Sequence, residues 1–97
     1  MIRHTVLFRW REDAAASDIE AAFAALEGLP AAIEELRGFS FGADAGLAEG
    51  NFDAVVVADF EDTEAYRRYA EHPEHLRVIR EALRPLIAER VAVQYAL

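Results

Sequence analysis

Apolar and polar residues alternate along the first ten positions of the chain. One set of side chains is mostly apolar and consists of Ile2, His4, Val6, Phe8 and Trp10. The intervening set is more polar and consists of Arg3, Thr5, Leu7 and Arg9. A period of two residues is typical of a strand with one face against a core. The sequence therefore predicts a strand over Ile2–Trp10.

The segment that follows has the period of a helix. Ser17–Glu20 matches a capping box, in which a Ser side chain and a Glu three residues later bind the first free amides of a helix. Behind it lies a helical stripe of Ile19, Ala22, Phe23 and Leu26. Gly28–Pro30 is expected to break or kink this helix, and Pro30 suits the first turn of a continuation through Leu36.

The second half of the chain alternates strands with a pair of helices. Strands are predicted from Phe39–Phe41, from the strongly apolar segment Phe52–Phe60, and from Val91–Tyr95 near the end. Asp62 is a suitable cap for a helix whose inner side carries Tyr66, Tyr69 and Ala70. Pro73 ends that helix and begins another, in which Leu76, Ile79, Leu83 and Leu86 follow the helical period.

The predicted order is strand, helix, strand, strand, helix pair, strand. This is the split βαβ arrangement of a ferredoxin-like α+β fold, a four-stranded antiparallel sheet with helices on one face. A length of 97 residues suits a single domain spanning residues 1–97.

The sheet is predicted to be apolar on both faces. Leu7, Val55 and Val57 fall on the outer face, while the helix side receives Val6, Phe8, Ala54 and Val56. A bare apolar face of this size is typical of an interface. We expect two copies to pack through their sheets as a homodimeric α/β barrel, with Arg3, Arg9 and Asp59 pairing at the rim. The alternative is a monomer that tolerates an apolar surface.

Charge and composition narrow the choice of partners. The net charge of −8 argues against nucleic acid and anionic membranes, because phosphate binding needs a clustered basic surface. The absence of Cys excludes disulfides and thiolate chemistry. Without a signal-peptide pattern or an apolar run of membrane-spanning length, a cytoplasmic protein is expected.

Three stretches of the chain resemble the Dabb family, the stress-responsive dimeric α/β-barrel domain. They are Met1–Phe8, Tyr69–His75 and Leu83–Ile87, and the resemblance extends over nearly the whole chain. It implies two ferredoxin-like subunits joined through their sheets, each with a pocket between sheet and helices.

The resemblance also implies a set of site residues. A plant cyclase of the family closes a polyketide by aldol condensation without cofactor or metal, and its catalytic Tyr and His correspond to Tyr69 and His75. Its first-strand His corresponds to His4. Two of its other pocket residues, a Tyr and a His, are replaced by Leu26 and Ala54. The resemblance therefore implies a similar site, while the two replacements argue against the same substrate.

The chemistry of these residue types fits an acid–base site. His75 lies in the first turn of a helix, where the helix dipole disfavours imidazolium and favours a neutral general base. The Tyr69 phenol can donate to a developing enolate, and His4 can orient His75 or contact the ligand. Apolar walls are expected from Val6, Phe8, Phe23 and Val56. The alternative is structural, with His75 as a cap and with Tyr69 and His4 as core residues.

No metal or cofactor is expected. His72 and His75, with Glu71 and Glu74, are spread over the end of one helix and the start of another, whereas a zinc site needs three or four convergent ligands. The chain has no phosphate-binding glycine loop and no serine-hydrolase elbow.

The sequence therefore predicts a cytoplasmic homodimer that binds a small, mostly apolar or aromatic molecule, with cofactor-free chemistry of the cyclase or lyase type. Two alternatives stay open. One is a cofactor-free monooxygenase of the antibiotic-synthesis type, and the other is a non-enzymatic stress-response or structural protein.

Overall fold

The computed structural model describes residues 1–97 and contains one antiparallel sheet. Its strands lie in the order β2-β3-β1-β4. Their bounds are β1 Ile2–Trp10, β2 Gly38–Ala43, β3 Ala54–Phe60 and β4 Ile87–Ala96. The ferredoxin-like α+β fold predicted from the order of elements is confirmed.

The helices lie on one face of this sheet. They are α1 Ala16–Glu27, α2 Leu29–Ala32, α3 Thr63–Glu71 and α4 Pro73–Val78. Beyond α4 the chain continues through a π-helical turn, Ile79–Leu83, and a 3₁₀ turn, Arg84–Leu86. As predicted, Asp62 caps α3, since its Oδ1 accepts a hydrogen bond from the Ala65 amide at 2.8 Å.

The core lies between the inner face of β1 and β3 and the helices. Alternate residues of both strands are buried, which confirms the predicted alternation. The buried apolar side chains of these two strands are Val6, Phe8, Ala54, Val56, Ala58 and Phe60. The helical side contributes Ala22, Leu26, Leu29, Ala65, Tyr69, Val78, Leu83 and Leu86, and Ile33 packs with them.

Two boundary predictions for the first helices were wrong. No side chain caps α1, because the helix begins at Ala16 and Ser17 already lies inside it. The run of alanines before Ser17 favours the helix and extends it upstream. The continuation after Pro30 ends at Ala32 rather than Leu36, because the chain turns to extended geometry at Ile33, whose side chain is fully buried.

Three strands also differ from their predicted bounds. β2 covers Gly38–Ala43 rather than Phe39–Phe41, because all six of its residues pair with β3. β3 begins at Ala54, since Asp53 instead bridges to β1, with its amide donating to the Phe8 carbonyl and its carboxylate accepting from the Trp10 amide, both at 2.8 Å. β4 is longer than predicted because it pairs with β1 along its whole length, from Trp10 opposite Ile87 to Ile2 opposite Ala96.

The outer face of the sheet is uncovered in the single chain and remains apolar. On β4, Val91, Val93 and Tyr95 are 42%, 56% and 46% exposed. Arg3 pairs with Asp59 as predicted, and the structure shows two hydrogen bonds between them, at 2.8 and 2.9 Å. Arg9 does not join that pair, because it lies six residues farther along β1 than Arg3. Its guanidinium instead donates a hydrogen bond at 3.3 Å to Glu89, which lies directly opposite it on β4.

None of the helices combines the length and the apolar character that crossing a membrane requires.

Candidate functional site

A small cavity lies between the inner face of the sheet and the corner where α3 meets α4. Its volume is about 20 Å³, which leaves room for about one water molecule. The residues around it are His4, Val6, Phe8, Leu26, Leu29, Val56, Tyr69, His75, Val78, Ile79, Leu83 and Arg90. The three predicted catalytic residues therefore share one cavity.

A wider surface depression of about 390 Å³ adjoins this cavity. The two share Phe8, His75, Ile79 and Arg90, while Leu76, Arg84 and Ile87 line the depression alone. Volumes of a few hundred Å³ are typical of small-molecule sites. We call the closed part the inner cavity and the open part the outer depression.

The corner between α3 and α4 positions His75. His72 is extended, with φ −65° and ψ 133°, and Pro73 begins α4 immediately after it. The His72 Nδ1 caps α4 by accepting a hydrogen bond from the Glu74 amide at 3.1 Å. This turn brings the His75 ring against that of Tyr69, with 4.2 Å between the centroids.

The hydrogen bond of His75 fixes its tautomer. Its Nδ1 lies 3.2 Å from the Ala70 carbonyl oxygen, which can only accept, so the neutral ring carries its proton on Nδ1. The Nε2 lone pair is then free. Burial is the main cause that lowers the pKa of His75, and the positive charge of Arg90 lowers it further. The predicted neutral state therefore rests on desolvation more than on the helix dipole.

Tyr69 is held as a protonated phenol. The residue is 3% exposed, and its ring packs against that of Phe60 at a centroid distance of 4.9 Å. Burial raises the pKa of Tyr69 well above its usual value, because the phenolate would lose its hydration. Its hydroxyl is therefore available as a donor at any physiological pH.

His4 is the second buried histidine of the cavity, 4% exposed on β1. The Gln94 side-chain amide donates to its Nδ1 at 2.8 Å, so neutral His4 carries its proton on Nε2. Burial lowers the pKa of His4 to about 4, and the positive charge of Arg90 acts in the same direction. Its ring lies 6.3 Å from that of Tyr69, between centroids.

Three polar atoms of the cavity have no partner within the chain: the Tyr69 hydroxyl, His75 Nε2 and His4 Nε2. No fully buried side-chain nitrogen or oxygen of the protein lacks a hydrogen bond. These three atoms therefore retain access to a probe the size of water. The cavity offers a ligand one acceptor and two donors.

The predicted apolar walls are only partly assembled here. Val6, Phe8 and Val56 line the inner cavity. Phe23 does not, because its ring stacks on Phe41 at 5.7 Å and meets Trp10 edge-on at 6.2 Å. Leu26 also lines the inner cavity.

Sequence reasoning missed two residues on β4. Arg90 lies opposite Phe8 and Gln94 opposite His4, so both point to the helix side of the sheet. Their signal was the alternation of the last strand, in which Arg90, Ala92, Gln94 and Ala96 share one face. Reading that strand only as an apolar segment concealed them.

The structure brings together no group of three His, Asp or Glu side chains able to hold a metal ion. His72 and His75 make different contacts: the His72 side chain caps α4, and the His75 ring packs against that of Tyr69.

Solved structures share this architecture. A dimeric ferredoxin-like protein of unknown function from Thermobifida fusca is 47% identical, with a TM-score of 0.92, and the alignment covers 99% of this chain and 90% of that one. A hydroxynitrile lyase from Passiflora edulis is 19% identical, with a TM-score of 0.87 and coverage of 99% and 92%. SnoaB, a cofactor-independent oxygenase from Streptomyces nogalater, is 19% identical, with a TM-score of 0.76 and coverage of 99% and 91%.

At 19% identity the last two likenesses show the fold alone. Together with the first they place the chain among ferredoxin-like α+β domains. The family comparison is more particular. The Dabb family, described as the stress responsive A/B barrel domain, matches residues 2–97, and the chain belongs to it. No match was found among proteins of curated function.

The low pKa of His4 makes stability depend on pH. Between its usual pKa of 6.5 and the folded value of about 4, the unfolded chain binds a proton that the folded chain does not. Stability is therefore retained above pH 6.5 and falls toward pH 4, with His4 contributing about 3 kcal/mol to the loss. We expect His4→Phe to flatten this dependence in urea unfolding measured from pH 7 to 4. An unchanged slope in the variant would show that His4 is not held neutral.

Proposed function

We propose that this protein binds a small, mostly apolar carbonyl compound at the inner cavity and outer depression, and removes a proton from the carbon next to the carbonyl without a cofactor. The observation that carries the proposal is the convergence of His75, Tyr69 and His4 in one apolar cavity. His75 offers a free acceptor, and Tyr69 and His4 offer free donors, as an acid–base site requires.

His75 is the general base in this proposal. Its Nδ1–H donates to the Ala70 carbonyl, so Nε2 receives the proton, and the resulting imidazolium keeps the hydrogen bond to Ala70. Burial keeps the ring neutral at physiological pH, which supplies the base in its active form. As pH falls through the lowered pKa of His75, the base becomes protonated and activity is lost.

Tyr69 and His4 are the donors. When the carbon loses its proton, negative charge moves to the carbonyl oxygen, and a phenol that stays protonated can donate to that enolate. The His4 Nε2–H is a second donor, held in this tautomer by Gln94. Donors fixed in a water-poor site stabilise charge more than they do in bulk water.

The size of the two spaces fits a ligand that reaches inward from the surface. The inner cavity holds about one water, whereas the outer depression of about 390 Å³ accommodates an aromatic or alkyl body. The π turn Ile79–Leu83 forms part of the wall, and such turns often occur at functional sites. The reacting carbonyl would enter where the two spaces meet, beside His75.

Relatives with the same fold support chemistry of this general kind. The hydroxynitrile lyase from Passiflora edulis and the oxygenase SnoaB are both enzymes on this fold. SnoaB makes an oxygenase the second candidate function for this chain. The carbanion that forms when His75 removes a proton from the ligand can react with oxygen. Oxygen uptake during turnover distinguishes that outcome from a lyase or cyclase.

Proton abstraction can be tested with benzylacetone, an aromatic methyl ketone. We expect the wild type to accelerate exchange of its α-protons for deuterium, followed by NMR in D₂O at neutral pH. His75→Gln and Tyr69→Phe should each lower the accelerated rate by about 100-fold, the usual contribution of a general base or an oxyanion donor.

Tyr66→Phe is the matched control for Tyr69→Phe. Both residues lie on α3 and both substitutions remove a phenolic hydroxyl, but Tyr66 does not line the inner cavity. The control should exchange protons like the wild type. Equal losses in the two Tyr variants, or exchange that survives in His75→Gln, would contradict the assignment of the base and donor.

We also propose that the protein works as a homodimer joined through the outer sheet faces. Uncovered Val91, Val93 and Tyr95 support this arrangement, and the Thermobifida fusca relative is described as dimeric. Packing sheet on sheet with two-fold symmetry removes this apolar surface from water.

Light scattering tests this assembly. The wild type should have twice the chain mass of 10.8 kDa, and Val93→Glu should shift the protein to the monomer by placing a charge in the interface. Ala31→Glu adds the same charge on the helix side, where Ala31 is exposed, and should stay dimeric. A wild type of 10.8 kDa at micromolar concentration would rule out the dimer.

A further inference from the structure

Most arginines of this acidic protein form salt bridges, and most of those that form none lie at one place. The chain carries ten basic residues against 18 acidic ones. Seven arginines form salt bridges. Arg80, Arg84 and Arg90 form none, and two of these three, Arg84 and Arg90, line the outer depression. Two guanidinium groups in one depression are therefore free to bind an anion from outside the chain.

Arg90 lies where the two spaces meet. It lines both the inner cavity and the outer depression, on the helix side of β4 opposite Phe8. Its charge acts on all three polar residues of the cavity: it helps to lower the pKa of His4 and His75, and it opposes the rise that burial causes in the pKa of Tyr69. A group bound to Arg90 therefore lies within electrostatic reach of the proposed chemistry.

The surroundings of the two arginines lack negative charge. Neither space has an Asp or Glu in its wall. The other residues around the outer depression are apolar apart from His75, namely Phe8, Leu76, Ile79 and Ile87. Two like charges beside an apolar wall repel each other, and an anion between them relieves that repulsion while an apolar body covers the wall.

We propose that Arg84 and Arg90 form a subsite for the carboxylate of an amphipathic ligand whose apolar body lies in the outer depression. This inference rests on the proposed function and narrows its substrate class to carbonyl compounds that also carry a carboxylate on their aryl or alkyl body, and that bind more tightly than their neutral analogues. The guanidinium groups hold the carboxylate near the surface, and the apolar body extends toward His75 and Tyr69. Planar guanidinium groups suit a carboxylate because they donate two parallel hydrogen bonds.

Hydrocinnamate and hydrocinnamyl alcohol form a matched pair of probes, equal in apolar body and different in charge. In calorimetric titration of the full chain, we expect hydrocinnamate to bind at least about tenfold more tightly than the alcohol, as a charge-assisted hydrogen bond provides. Its affinity should fall with added salt while that of the alcohol stays constant.

Arg84→Gln and Arg90→Gln should each weaken hydrocinnamate binding and leave alcohol binding unchanged. The double variant should bind acid and alcohol alike. Arg80→Gln is the matched control, because Arg80 is equally unpaired but lines neither space, and it should bind like the wild type.

The outcomes separate this subsite from the proposed function. If acid and alcohol bind the wild type equally, the carboxylate subsite is wrong while the pocket stands. The subsite is also wrong if Arg80→Gln weakens hydrocinnamate binding as much as Arg90→Gln, or if acetate alone binds as tightly as hydrocinnamate. If neither probe binds, both the subsite and the proposed pocket are contradicted.

Discussion

The site depends on the packing of the Tyr69 ring against the His75 ring across the corner at Pro73. The two centroids are 4.2 Å apart, although the residues belong to different helices. Pro73 makes this contact possible, because it cannot continue α3 but fits the first turn of α4. The corner then closes over β1, where alternation has already turned His4 inward. Loosening it would admit water to the rings.

Exclusion of water gives these residues their properties. Burial is the largest cause of the pKa changes at His4, Tyr69 and His75, and it disfavours the charged form of each. Because the unprotonated histidines and the protonated phenol are all neutral, no ion pair is needed inside. The cation that acts on both histidines is Arg90, which is exposed on edge strand β4 and reinforces their neutral state.

The sequence was sufficient for most of the fold and for part of the site. Local patterns determine β1, the Asp62 cap and the break at Pro73, so these were predictable from residue types alone. Tyr69 and His75 lie close together in the sequence, on either side of Pro73, so their proximity was also predictable. Gln94 lies 90 residues from its partner His4, and only strand pairing shows that contact. Phe23 was wrongly predicted to line the cavity, because helical spacing shows which face of a helix is buried but not which side chains pack there. Its ring packs against Trp10 and Phe41 instead.

The most direct test of this account is the protonation state of the two cavity histidines, measured by nitrogen NMR of the wild type across pH. At neutral pH the account requires His75 to be neutral with its proton on Nδ1, and His4 to be neutral with its proton on Nε2. Both should titrate below the usual histidine pKa of 6.5, His4 near 4. An imidazolium at either position at pH 7, or the opposite tautomer at His75, would contradict it, since Nε2 would then have no lone pair for a proton.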